Sequence, residues 1–131
     1  MYKGEIINSQ LLSIISETGH TDIICISDAG LPAPKGVERV DLAWKKNEPG
    51  WLDVCKIIYE NMIVEKIFLA EEMADRNREM YEQFKAFFGG TKIELIPHEE
   101  LKKNSRNCRA IIRTGEFSSF CNCIFVAGVN F

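Results

Sequence analysis

The chain has 131 residues, 46% apolar and 27% charged, with a net charge of −3 at pH 7. That is enough for one domain with its own core, and the slight acidity gives no electrostatic basis for a nucleic-acid or anionic-membrane partner. The first residues lack the apolar region of a secretory signal, and no apolar run approaches the ~18 residues of a spanning helix.

In chain order, Asn8 reads as an N-cap for a helix over Ser9 to Ser16, with Gly19 as its C-terminal cap. Ile23 to Ser27 is wholly apolar up to its last residue, the pattern of a strand buried on both faces. Val37 to Ala43 alternates weakly and reads as a half-buried strand or the approach to a helix. Pro49 and Gly50 punctuate before a helix from Trp51 to about Asn61. Val64 to Ala70 is a second apolar strand. One long amphipathic helix is predicted over Glu71 to Phe88, closed by Gly89 and Gly90. Lys92 to Ile96 is a third strand. Pro97 then opens a helix with Glu99 and Glu100 in its first turn, where acids favour the positive helix end. Ala110 to Arg113 and Cys123 to Val129 are late strands. Strands alternating with helices predict a three-layer α/β/α domain around a mainly parallel sheet. Ligands of such sheets bind beyond the carboxyl ends of the strands, where Asp28 and His98 are both expected.

The chain has only two histidines. His20 precedes the first strand, in Gly19-His20-Thr21-Asp22, and His98 follows the third. Two imidazoles with a carboxylate suffice for acid–base chemistry without a cofactor. Lys102, four residues after His98, shares its helix face. Cys121 and Cys123 flank Asn122, so on a strand both thiols face one way and the amide the other. The five cysteines (25, 55, 108, 121 and 123) are irregularly spaced, which argues for reduced thiols in a cytoplasm rather than a disulfide framework. Too few ligands stand at metal-binding spacing for a zinc site, and no glycine-rich run has the pattern of a phosphate loop.

An ordered set of segments spans almost the whole chain. It comprises Lys3-Gly4 with Asn8, Gly19 to Asp22, Asp28-Ala29-Gly30-Leu31-Pro32-Ala33-Pro34, Arg39 to Ala43, Ala70-Glu71-Glu72, His98 to Lys102, Ile112 to Glu116, Asn122, and Ala127 to Phe131. This set resembles the D-ribose pyranase and fucose mutarotase family, and Asp28 to Pro32 is closer to the ribose branch. The resemblance implies cofactor-free and metal-free interconversion of monosaccharide ring forms. It further implies a ring-shaped homo-oligomer, commonly a decamer, whose sites are completed across subunit interfaces. It identifies His20 with the proton donor, Asp28, His98 and Asn122 with sugar-contacting positions, and Lys102 with a lysine near the pocket. The chain departs from the family at Ser119-Phe120-Cys121-Asn122, where relatives usually read Pro-Tyr-x-Asn. Phe120 can lie against the C–H face of a sugar but has no hydroxyl to hydrogen-bond it.

Overall fold

A computed structural model describes residues 1–131. Six strands form one sheet in the order β2-β5-β1-β6-β3-β4. They are β1 (Ile23–Ser27), β2 (Glu38–Asp41), β3 (Val64–Ala70), β4 (Lys92–Ile96), β5 (Ala110–Arg113) and β6 (Cys123–Ala127). The pairings β1–β5, β2–β5 and β3–β4 are parallel, whereas β6 runs antiparallel to both β1 and β3. The helices are α1 (Ser9–Glu17), α2 (Trp51–Asn61), α3 (Glu72–Arg76), α4 (Arg78–Phe88) and α5 (His98–Asn104).

Alternation along the central strands divides the core in two. Ile24, Ile26, Ala110, Ile112, Cys123 and Phe125 face the larger cluster, closed by Leu11 and Ile14 of α1, Trp51, Val54 and Ile58 of α2, and Phe84 and Phe88 of α4. Cys25, Ile111 and Ile124 face the smaller one, closed by Leu31, Leu101 of α5 and Cys108. This is the expected three-layer arrangement. Trp51 anchors it: its ring stacks on Phe84 at 5.0 Å, and its Nε1–H donates to the Ile26 carbonyl at 3.0 Å. Each such fully buried large apolar side chain contributes about 1.5–3 kcal/mol.

Four expectations are corrected. The helix predicted over 71–88 breaks at Asn77 (φ −143°, ψ 56°). The side chain of Asn77 donates instead to the Ser119 carbonyl at 2.9 Å and the Cys121 thiol at 3.3 Å, tying down a loop of the site. Of residues 37–43 only Glu38–Asp41 form a strand, at the edge of the sheet, with Val40 alone buried. The last strand ends at Ala127, not Val129, and Val129 to Phe131 are exposed beyond it. The first helix is capped at Asn8 as expected, the Leu11 N–H donating to Asn8 Oδ1 at 2.9 Å. Its C-cap, however, is Thr18 in extended conformation rather than Gly19.

Candidate active site

The reversed direction of β6 builds the site. Ile26 stands opposite Cys123, so the end of β1 meets the start of β6, and Asp28 comes beside Asn122. Their side chains clasp. The Asp28 N–H donates to Asn122 Oδ1, and Asn122 Nδ2 donates to Asp28 Oδ2, both at 3.0 Å. Asp28 Oδ1 accepts from the N–H groups of Gly30 and Leu31, each at 2.9 Å, closing an Asx-turn. Asn122 is buried, and these bonds fix which way its amide points. Arg113 and Glu116 hold the loop from the other side: Arg113 Nε donates to the Ala29 carbonyl at 3.1 Å, and the Ala29 N–H donates to the Glu116 carbonyl at 2.9 Å.

His98 opens α5 at the same edge. Its backbone N–H donates to both carboxylate oxygens of Glu72, at 3.1 and 2.8 Å, which seats the helix start against α3. Nδ1 of its ring is buried without a partner. Lys102 lies one turn on, its Nζ 2.6 Å from Glu99 Oε1. The hydrogen bond from Lys102 holds the Glu99 carboxyl below its usual range.

Asp28, Gly30, Leu31, Pro32, His98, Lys102 and Asn122 line a cavity of about 310 Å³. Phe120 adjoins it, its ring perpendicular to His98 at a centroid distance of 5.2 Å. Phe120 adopts φ +60°, a left-handed conformation unusual for a bulky side chain. The Asn122 N–H donates to its carbonyl at 2.8 Å, and Asn77 grips the residues on either side. Such backbone strain costs on the order of 1–3 kcal/mol and concentrates at functional sites. The cavity therefore offers a carboxylate, an ammonium, an imidazole and an amide within one small space, with an aromatic ring beside the imidazole. That set suits a polyhydroxylated ligand carrying donors, acceptors and a C–H face.

Five of the six predicted site residues thus converge, and His20 does not join them. It precedes β1 while Asp28 follows it, so a five-residue strand, roughly 16 Å at about 3.3 Å per residue, separates them. His20 sits at the tip of a tight turn. The Asp22 N–H donates to the Gly19 carbonyl at 3.1 Å, the Gly19 N–H donates to Asp22 Oδ2 at 2.8 Å, and Thr21 has φ +69°. The ring is half exposed and lines a separate cleft of about 920 Å³ with Ile15, Met62, Ile63, Val129 and Phe131.

The cysteines take no part in the cavity. Cys121 and Cys123 both face the larger core while Asn122 points away, as the strand period implied. Burial pushes the Cys121 and Cys108 thiols up to about 12, far from thiolate at neutral pH. Sequence reasoning passed over Asn77 as a loop anchor. Glu72 stood out only within the segment Ala70-Glu71-Glu72, although an acid next to a strand end was the available signal.

The sequence profile of the RbsD / FucU transport protein family matches residues 1–130. A D-ribose pyranase from Coprothermobacter proteolyticus is 43% identical over 131 residues, the whole of both chains. The structure of Bacillus subtilis RbsD complexed with D-ribose superposes with a TM-score of 0.96 at 43% identity, again over the whole of both chains. The fucose mutarotase of Streptococcus pneumoniae, in complex with L-fucose, shares the fold at 20% identity, with a TM-score of 0.81 over 95% of each chain.

Proposed function

The chain belongs to the RbsD / FucU transport protein family, and we propose that it is an isomerase interconverting the ring forms of D-ribose. The observation that carries this reading is the full-length 43% identity to a D-ribose pyranase, together with the 0.96 superposition on a ribose complex. The likeness to a fucose mutarotase is one of fold alone.

Ring opening needs no electron or group carrier. The anomeric hydroxyl loses its proton, its oxygen forms the C=O bond as the bond from C1 to the ring oxygen breaks, and the ring oxygen takes a proton. The aldehyde rotates and is attacked again, by the C5 hydroxyl to give the pyranose or by the C4 hydroxyl to give the furanose. Imidazole suits both proton movements because its unperturbed pKa of ~6.5 lies near neutrality. In this reading His20 is the acid at the ring oxygen. Asp28 and His98 hold hydroxyls and relay the second proton, Asn122 fixes orientation, Lys102 binds a hydroxyl, and Phe120 covers the C–H face. One positioned acid or base contributes roughly 10²–10⁴-fold, ample for a reaction that already runs in water.

His20 lies at the opposite sheet edge from the cavity, so it serves the site of a neighbouring copy. What supports this is its half-exposed ring, the apolar cleft around it and the exposed Val129 and Phe131 beside it. The assembly is a closed homo-oligomer, the decamer that the family resemblance implies. The compartment proposed is the cytoplasm; no helix is long and apolar enough to cross a membrane.

The test is exchange NMR on D-ribose and L-fucose with and without protein. Accelerated exchange between the pyranose and furanose of ribose, lost in His20→Ala with the fold intact, is expected. Binding without acceleration of either sugar would refute the enzymatic reading and leave a sugar-binding protein, the role that the missing hydroxyl at Phe120 would favour.

A further inference from the structure

We propose that Glu65 is the positioning residue for His20, an assignment that rests on His20 being the acid of the ring-opening reaction. Two observations converge. First, Glu65 Oε2 lies 3.2 Å from His20 Nε2, across 45 residues of sequence. Second, β3 is irregular at this point. Val64 pairs with Ala127 and Lys66 with Val126, so Glu65 is the extra residue of a β-bulge. Bulges re-aim a side chain and are enriched next to active sites.

The carboxylate accepts from Nε2–H and so assigns the ring proton to Nε2. Nδ1 is then the nitrogen left to exchange a proton with the substrate. The turn around Gly19 to Asp22 fixes the backbone of His20 but not its side-chain torsions, and Glu65 is the one side chain that holds the ring. An exposed ion pair adds little stability, so the contact acts through geometry. Once a neighbouring copy covers it, the pair is drier and the hold is firmer.

The series Glu65→Ala, Glu65→Asp and Glu65→Gln separates the possibilities. Glutamine keeps an acceptor oxygen at the same reach, aspartate falls one methylene short, and alanine has no acceptor. With D-ribose, alanine and aspartate should lower kcat by roughly 10- to 100-fold with KM within about twofold, since misplacement by ~1 Å can cost 10²-fold. Glutamine should restore most of the loss. Carbon–proton relaxation of the His20 ring, read against His98 as the only other histidine, should show the ring loosened in the alanine and aspartate variants and held in the glutamine variant. A kcat in Glu65→Ala within twofold of the parent, or an unchanged His20 ring, overturns the proposal. So does a glutamine variant as impaired as alanine. If His20→Ala itself keeps full exchange, the acid assignment fails, and the ring-order measurement still decides whether Glu65 holds His20.

Discussion

Asn122→Ala tests the clasp at the centre of the cavity. The substitution removes two hydrogen bonds at once: the neutral one from the Asp28 N–H and the one that Asn122 Nδ2 donates to the Asp28 carboxylate. A neutral bond contributes about 0.5–1.5 kcal/mol and one to a charged group about 1.5–3 kcal/mol. Asp28 is half-buried and the adjoining cavity admits water, which trims the upper end, so the expected loss is ~2–4 kcal/mol. For 131 residues the unfolding entropy is roughly 275 cal/mol/K, so each kcal/mol lowers Tm by about 3.6 °C. Thermal unfolding followed by circular dichroism should then show Tm falling by roughly 7–15 °C, and ribose affinity should fall with it because Asp28 Oδ2 loses its partner and only the Asx-turn to Gly30 and Leu31 still holds the carboxylate. A drop under ~3 °C with affinity retained would refute the clasp as the element that orders the cavity.

The remaining predictions concern the aromatic ring and the thiols. Phe120→Tyr installs the hydroxyl that the family resemblance implies at this position. It should raise ribose affinity or turnover by up to about tenfold, the worth of one hydrogen bond; a loss on ribose with a gain on fucose would reverse the substrate preference proposed here. The thiols of Cys108 and Cys121 ionise only near pH 12 because burial disfavours thiolate. The native protein should therefore resist a thiol-specific reagent at pH 8 and react at all five cysteines once unfolded; rapid native labelling would contradict the burial described.

Much of the fold was legible because burial leaves a period in the chain. The bounds of β1, α2, β3, β4 and β5 match the apolar patterns and their flanking glycines and prolines. Direction is different. An apolar run such as Cys123 to Ala127 reads the same whichever way its neighbours run, so nothing local announced that β6 is antiparallel. That reversal is what brings Asn122 to Asp28, and what brings Ala127 to the His20 turn, where the Thr21 N–H donates to its carbonyl at 2.9 Å. The break at Asn77 was hidden for a related reason: its compensation is a loop more than 40 residues away. The residue types of the site were readable one by one. Their division between two edges of the sheet was readable too, since His20 precedes a strand that Asp28 follows; the clasp between Asp28 and Asn122 was not, because it depends on the direction of β6. Glu65 left no sequence signal, because a bulge is a property of two strands together.

The central claim is that ribose is converted at a site made from the cavity of one copy and the His20 of another. Mixing subunits tests it directly. His20→Ala and His98→Ala proteins, each inactive alone in ribose ring exchange, are unfolded together and refolded as a mixture. If the sites are shared between copies, random assembly rebuilds both intact edges at about one quarter of the sites, and exchange returns to about that fraction of the parent rate. If each copy completes its own site, the mixture stays as inactive as either parent variant, and the account is wrong.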